Sequence, residues 1–300
     1  METEFERLEL LYQRGVLKLA SSRAARQIID LIDNGEPAAR ELELLIMRDP
    51  GLAAEFLKVI GHQLPEVSSS SSNLIRSAIV KMGVRAVRNL TVALHLRSTL
   101  SEIDPDLGFN LERYGRWVLA VGILAAFVYR RHPDAANSAW PSGELISASE
   151  ISCLGLGLMP LFAPSSFTRL ARIASRNRES LSTAFEKAYG AMPQQLATSA
   201  ISSWKLPHDY CEALTPFDRV DPGSSHYLAA CSIAFAHKLA EEGGYGMETW
   251  PVEKRPGGLL SLEFSMSDEE QTALLQLLET HVDRAMDSWS VPSRPETKAA

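Results

Sequence analysis

The sequence predicts an all-α protein, and three observations carry that prediction. Apolar residues recur at helical spacing through most of the first 240 positions. No stretch there alternates apolar and polar residues over a strand's length. Helix punctuation (Asn-Gly, Asp-Pro, isolated Gly) falls where the periods break. Of the 300 residues, 45% are hydrophobic and 22% charged, the ordinary balance for a chain that folds around a core.

Ala25, Ile28, Ile29 and Ile32 share one face of a predicted helix at 24–33, which Asn34-Gly35 ends. Leu42, Leu44, Leu45 and Ile46 lie in a second at 41–48. Asp49 then caps and Pro50 opens a third, to about Gly61. A serine-rich loop, 68–72, leads to helices at 73–82 and 85–100, separated by Gly83. A polar link with Asp104-Pro105-Asp106 precedes a helix at 111–131. Its uncharged apolar run, Trp117–Tyr129, is shorter than the roughly 20 residues that span a bilayer. Ser147-Ala-Ser-Glu150 has the capping-box form and predicts a helix start. Further helices are predicted near 166–176, 178–189, 193–203, 207–214 and 222–241, the last opened by Asp221-Pro222.

The C-terminal part reads differently. Residues 242–258 are rich in glycine, and Leu259-Leu-Ser-Leu-Glu-Phe264 reads as a short strand or extended segment. Ser267-Asp-Glu-Glu270 forms a second capping box before an amphipathic helix to about Trp289, with an apolar stripe of Leu274, Leu275, Leu277, Leu278, Val282 and Met286. The predicted organisation is a helical domain at 1–242, an extension at 243–290 packed on it, and a disordered tail at 291–300.

A net charge of −7 disfavours general attraction to nucleic acid, whose phosphates need a basic surface. Met1-Glu-Thr-Glu opens without the apolar run of a leader, and Cys153, Cys211 and Cys231 read as buried thiols. The expected location is the cytoplasm, with no membrane partner.

The seven histidines hold no pair at the i, i+4 spacing of a helical metal site, so no metal or other cofactor is expected. His226 and His237 lie about 16 Å apart along one helix, too far for one ion. His208-Asp209 imitates a metal-binding pair, but Asp209 falls where a first-turn carboxylate suits the helix dipole. A displaced hydrolytic site would have to draw on His208, Asp209, His226 and Asp221.

Arginines are segregated. Residues 68–101 lack acids but hold Arg85 and Arg88; residues 151–178 lack acids but hold Arg169, Arg172 and Arg176 at i, i+3 and i+7. Guanidinium groups fit phosphate bidentately, so these five residues are candidates for binding an anion or a partner, a nucleotide second messenger included. The Gly-x-Gly of Leu154-Gly-Leu-Gly157 follows no predicted strand and reads as a close helix crossing.

Trp117-Val-Leu-Ala-Val-Gly-Ile-Leu-Ala-Ala and Ile151-Ser-Cys-Leu-Gly-Leu-Gly-Leu-Met-Pro160 resemble, in rhythm, the two central helices of the HD-superfamily metal-dependent phosphohydrolases. Such an enzyme would carry a histidine near Trp117 and a His-Asp pair near Leu156-Gly157, and neither is present. Four landmarks narrow the resemblance: Met47-Arg-Asp-Pro50, Val67-Ser-Ser, Lys81-Met-Gly-Val-Arg85 and Trp204-Lys-Leu-Pro207. Over roughly 17–243 the chain resembles the HDOD family, helical signalling domains related to those enzymes. The resemblance implies a non-catalytic bacterial regulator that acts by binding a signalling protein. Trp117, Leu156 and Gly157 would then be core residues of a degenerate site.

Overall fold

The computed structural model describes residues 3–19, 23–63, 74–137, 140, 142–203, 208–250, 252 and 264–289. Among them run α1 (Glu4–Leu19), α2 (Arg23–Asp33), α3 (Ala39–Met47), α4 (Pro50–Gln63), α5 (Leu74–Met82), α6 (Val84–Leu100), α7 (Leu111–Arg131) and α8 (Ser142–Ser152). Then follow α9 (Leu154–Gly157), α10 (Met159–Phe162), α11 (Pro164–Asn177), α12 (Leu181–Tyr189), α13 (Gln194–Ser203), α14 (Asp209–Ala213), α15 (Tyr227–Glu242) and α16 (Asp268–Trp289). The all-α prediction holds, with no strand among the described residues.

The helices close two cores. Helices α2–α6 form a small lobe around Ile28, Leu42, Ile46, Phe56, Ile79 and Val87. Its joints are those the sequence marks. Asp49 Oδ1 accepts the Leu52 N–H at 3.1 Å, and Gly83 turns the chain at φ +83, a region where glycine alone is at ease. Glu43 pairs with Arg76 to tie α3 to α5.

The main body is built on α7, whose buried face is flanked by α8, α15 and α16. Asn110 caps α7 by accepting the Arg113 N–H at 2.9 Å. The sequence reading did not anticipate α1, which buries Leu8, Tyr12 and Val16 at i, i+4 and i+8 against α10 and α13. The Gly-x-Gly run is a close crossing. A Cβ on Gly155 would overlap the Pro193 carbonyl, one on Gly157 would overlap the Tyr114 ring, and Tyr12 donates its hydroxyl to the Gly155 carbonyl at 2.5 Å.

Two predicted helix starts are corrected. Ser147 and Glu150 lie inside α8, not at its beginning. The i, i+3 spacing of a capping box also occurs within a helix, where serines bond backward: Ser149 donates to the Leu145 carbonyl at 2.6 Å. Likewise α15 begins at Tyr227 instead of Asp221-Pro222, because Asp221 accepts the Gly223 N–H at 2.9 Å and closes a local turn first.

The capping box at α16 forms as read: Ser267 Oγ accepts the Glu270 N–H, and Glu270 accepts the Ser267 N–H. Leu274, Leu278 and Val282 carry α16 onto the main core. Ahead of it, Glu248 accepts the Leu181 N–H at 2.5 Å and Trp250 donates to the Glu179 carbonyl, fastening this stretch to the start of α12. Most of the predicted strand (259–263), the serine loop and the tail at 291–300 lie outside the described residues. The stretch Glu144–Phe162 is long and apolar enough to cross a membrane by composition. It is 67% buried within the protein and divided among α8, α9 and α10, the character of a core segment.

Candidate functional site

At the middle of the main body α7, α8 and α15 bring Trp117, Ser152 and His237 together. Trp117 is 2% exposed and His237 5%; their rings meet edge to face with centroids 5.3 Å apart. Ser152 Oγ lies 2.6 Å from His237 Nε2 and 2.5 Å from the Ser149 carbonyl.

These distances fix the histidine's tautomer. A hydroxyl has one proton to give, and only the Ser149 carbonyl must receive it, since a carbonyl donates nothing. Ser152 Oγ therefore accepts from Nε2–H, and Nδ1 carries a lone pair. Nδ1 has no hydrogen-bond partner, and neither does the Trp117 indole N–H. Burial lowers the His237 pKa to about 3, so the ring is neutral at physiological pH. One turn away, desolvation raises the Glu150 carboxyl to about 7, and the Cys153 thiol and Tyr114 hydroxyl are both pushed up. Such a centre holds neutral groups and disfavours charge.

Leu156 and Gly157 are buried on α9, with Gly157 against Tyr114, itself beside Trp117 at 6.1 Å between ring centroids. The residues of a displaced hydrolytic site do not converge. His208 and Asp209 are exposed at α14, with His208 Nδ1 4.0 Å from Glu212. His226 Nδ1 accepts from the Trp140 indole at 3.2 Å, and Asp221 sits in its exposed turn. Among the described residues no group of three His, Cys, Asp or Glu could hold a metal ion.

The arginines divide. Arg169 donates to Glu4 at 3.2 Å and to the Tyr189 hydroxyl at 3.4 Å, contacts that raise its pKa. Arg172 and Arg176 are exposed on α11. Arg88 is only 6% exposed, on α6 in the small lobe, and does not extend that face; the Arg85 side chain lies outside the described residues.

Sequence reasoning passed over Ser152 and weighed His237 only as a metal ligand. A signal was present, since His237 interrupts the apolar run Ile233-Ala-Phe-Ala-His-Lys-Leu239 and a helix of that composition buries what it carries.

Fold and centre together define an all-α domain of two lobes around a neutral, aromatic core. The model of the HDOD domain family matches residues 20–218, and the chain belongs to that family. Solved structures share the fold. An HDOD domain protein of unknown function from Geobacter sulfurreducens superposes with a TM-score of 0.61 at 14% identity, over 94% of this chain and 98% of its own. A Marinobacter aquaeolei protein, provisionally described as acting in signal transduction, gives 0.61 at 18% identity over 88% of this chain; this chain spans only 57% of its length. A Shewanella amazonensis protein, provisionally described as a phosphohydrolase, gives 0.55 at 14% identity, covering 91% and 92%. Comparison with curated proteins finds no match.

Proposed function

We propose that this HDOD protein is a non-catalytic bacterial signalling module, located in the cytoplasm, that works by binding a protein partner. One observation carries the reading: the indole of Trp117 fills the place where the resemblance to HD enzymes would put an ion-holding histidine. Water activation by a divalent ion requires imidazole and carboxylate ligands. Here the nearest imidazole is neutral and occupied at Nε2 by Ser152. The description of the Marinobacter relative supports a signalling role. The small lobe supports partner binding, because Leu44 and Met47 stand exposed at i, i+3 on α3 and Val80 is exposed on α5, which packs against α3.

Metal analysis of the purified protein together with a phosphodiesterase assay tests the reading. The expected result is neither stoichiometric divalent metal nor turnover. Stoichiometric metal with turnover abolished by His208→Ala would establish the hydrolase alternative instead. A second reading, a receptor for a cyclic dinucleotide, draws on exposed Arg172 and Arg176. Calorimetry decides it: saturable heat that vanishes on charge reversal at Arg169, Arg172 and Arg176 would favour it.

A further inference from the structure

The outer face of the small lobe joins an apolar centre to a surplus of positive charge. Leu44 and Met47 on α3 and Val80 on α5 are 53%, 57% and 72% exposed; among the described residues only Leu277, at 62%, is a comparably exposed large apolar side chain. The three stand on one side of the lobe. The Glu43–Arg76 ion pair joins α3 to α5, with Met47 four residues past Glu43 and Val80 four past Arg76. Residues at that spacing share a helix face, so each lies one turn along from the joint. Leu44, three positions before Met47, widens the patch.

The rim of this patch sets the charge of what fits. Arg40 and Arg48 lie four residues before and after Leu44, both exposed and neither with an ion partner among the described residues. The acids of α3 are already engaged: Glu43 with Arg76, and Glu41 as acceptor of the Ala38 N–H at the start of the helix. Helix α5 carries no acid. Over 23–100 the chain holds ten Lys and Arg against eight Asp and Glu, whereas the remainder holds 20 against 29. The lobe is the basic part of an acidic protein. An apolar centre rimmed by unpaired guanidiniums is complementary to apolar side chains flanked by carboxylates. Other polyanions fit it less well. A nucleic-acid backbone offers nothing to Leu44, Met47 and Val80, and an anionic membrane calls for a cluster of about 4–8 basic residues.

We propose that the α3–α5 face docks an acidic segment of a partner protein, with the segment's apolar side chains on Leu44, Met47 and Val80 and its carboxylates on Arg40 and Arg48. The docking rests on the reading of the chain as a partner-binding module, and it fixes where the partner sits and which charge it carries.

Fluorescence anisotropy tests this, with the full chain titrated into a short labelled amphipathic peptide of Leu and Glu and into its Leu and Lys counterpart. The expected result is saturable binding of the Leu/Glu peptide alone. Val80→Glu should weaken it about tenfold or more, and Arg48→Glu by a smaller factor. Both positions are exposed, so the variants keep their fold. Leu277→Glu, which removes an equally exposed apolar side chain from the main body, should leave the affinity unchanged. No binding of the Leu/Glu peptide, equal binding of both peptides, or affinity unchanged in Val80→Glu and Arg48→Glu would overturn the proposal. So would self-association of the full chain, or retention by phosphatidylglycerol vesicles, that Val80→Glu abolishes, since either gives the face another occupant. Stoichiometric metal with turnover would overturn the partner-binding reading and this face with it; a silent peptide titration with neither removes the face alone.

Discussion

The small lobe and the main body are made of the same helical material and use polarity in opposite ways. In α2–α6 the core is aliphatic around one phenylalanine, Phe56, and the Glu43–Arg76 pair lies between helices. Surplus apolar side chains, Leu44, Met47 and Val80, face outward. In the main body polar groups are turned inward. Every buried side-chain polar atom without a hydrogen-bond partner among the described residues belongs to it, including those of Trp117, Tyr129, Ser232 and His237. Unsatisfied buried groups cost stability. The difference teaches that the main body leaves buried polar atoms unsatisfied around its centre, whereas the small lobe satisfies the polar groups it buries, Glu43, Arg88 and Thr91.

Truncating one large side chain in each core is the strongest way to break that comparison. Trp117→Ala should cost about 3–5 kcal/mol, and Ile79→Ala about 2–5 kcal/mol. Location separates them better than size. Hydrogen exchange should show Ile79→Ala loosening α2–α6 alone, and Trp117→Ala loosening α7, α8 and α15. Loss of protection spread evenly over both lobes in either variant would make them one cooperative unit and dissolve the contrast.

The small lobe was also the more legible in sequence. Its helices end on local devices, Asp49-Pro50 and Gly83, whose chemistry is written in one or two residues. Helix α7 was equally plain, from Asn110 to Arg131, because its apolar face is long and its cap polar. What failed in the main body depended on distant partners. Ser147 and Glu150 have the spacing of a start signal, but the packing of α8 on α7 extends the helix past them. Ser152 and His237 lie 85 positions apart, and no local pattern announces that one hydroxyl will meet that ring. Trp117 was legible as a buried filler, whereas its contact with the His237 ring was not, since that contact joins two distant segments.

Buried titratable groups sharpen the contrast through pH. The Glu150 carboxyl, raised from 4.5 to about 7, holds its proton in the folded state where the unfolded chain has lost it, so its contribution falls as pH rises from 4.5 to 7. His237, lowered from 6.5 to about 3, works the other way: its contribution is lost as pH falls from 6.5 to 3. Between pH 4.5 and 6.5 the two oppose each other. Glu150→Gln removes one of them, so the variant should gain stability relative to wild type as pH rises through that window, by on the order of 2 kcal/mol. Denaturation midpoints at pH 4.5 and 6.5 measure it; parallel curves for the two proteins would show Glu150 titrating normally. Ala78→Gly in the small lobe adds no titrating group and should leave the pH dependence of stability unchanged.

The smallest expected effect bears on where the two regions meet. Helix α16 packs chiefly on α7 and also touches α4, so it is in contact with both lobes. Ser267→Ala removes the acceptor for the Glu270 N–H and should cost about 1 kcal/mol, as loss of a serine cap does. Glu270 also pairs with Arg131 at the end of α7, so fraying should begin at that junction. Exchange in the first turn of α16 should quicken while α2, α3, α5 and α6 keep their protection. If α4 alone in the small lobe responds, the helix is a strut between two independently packed cores. A response throughout α2–α6 would mean instead that the extension holds the small lobe together.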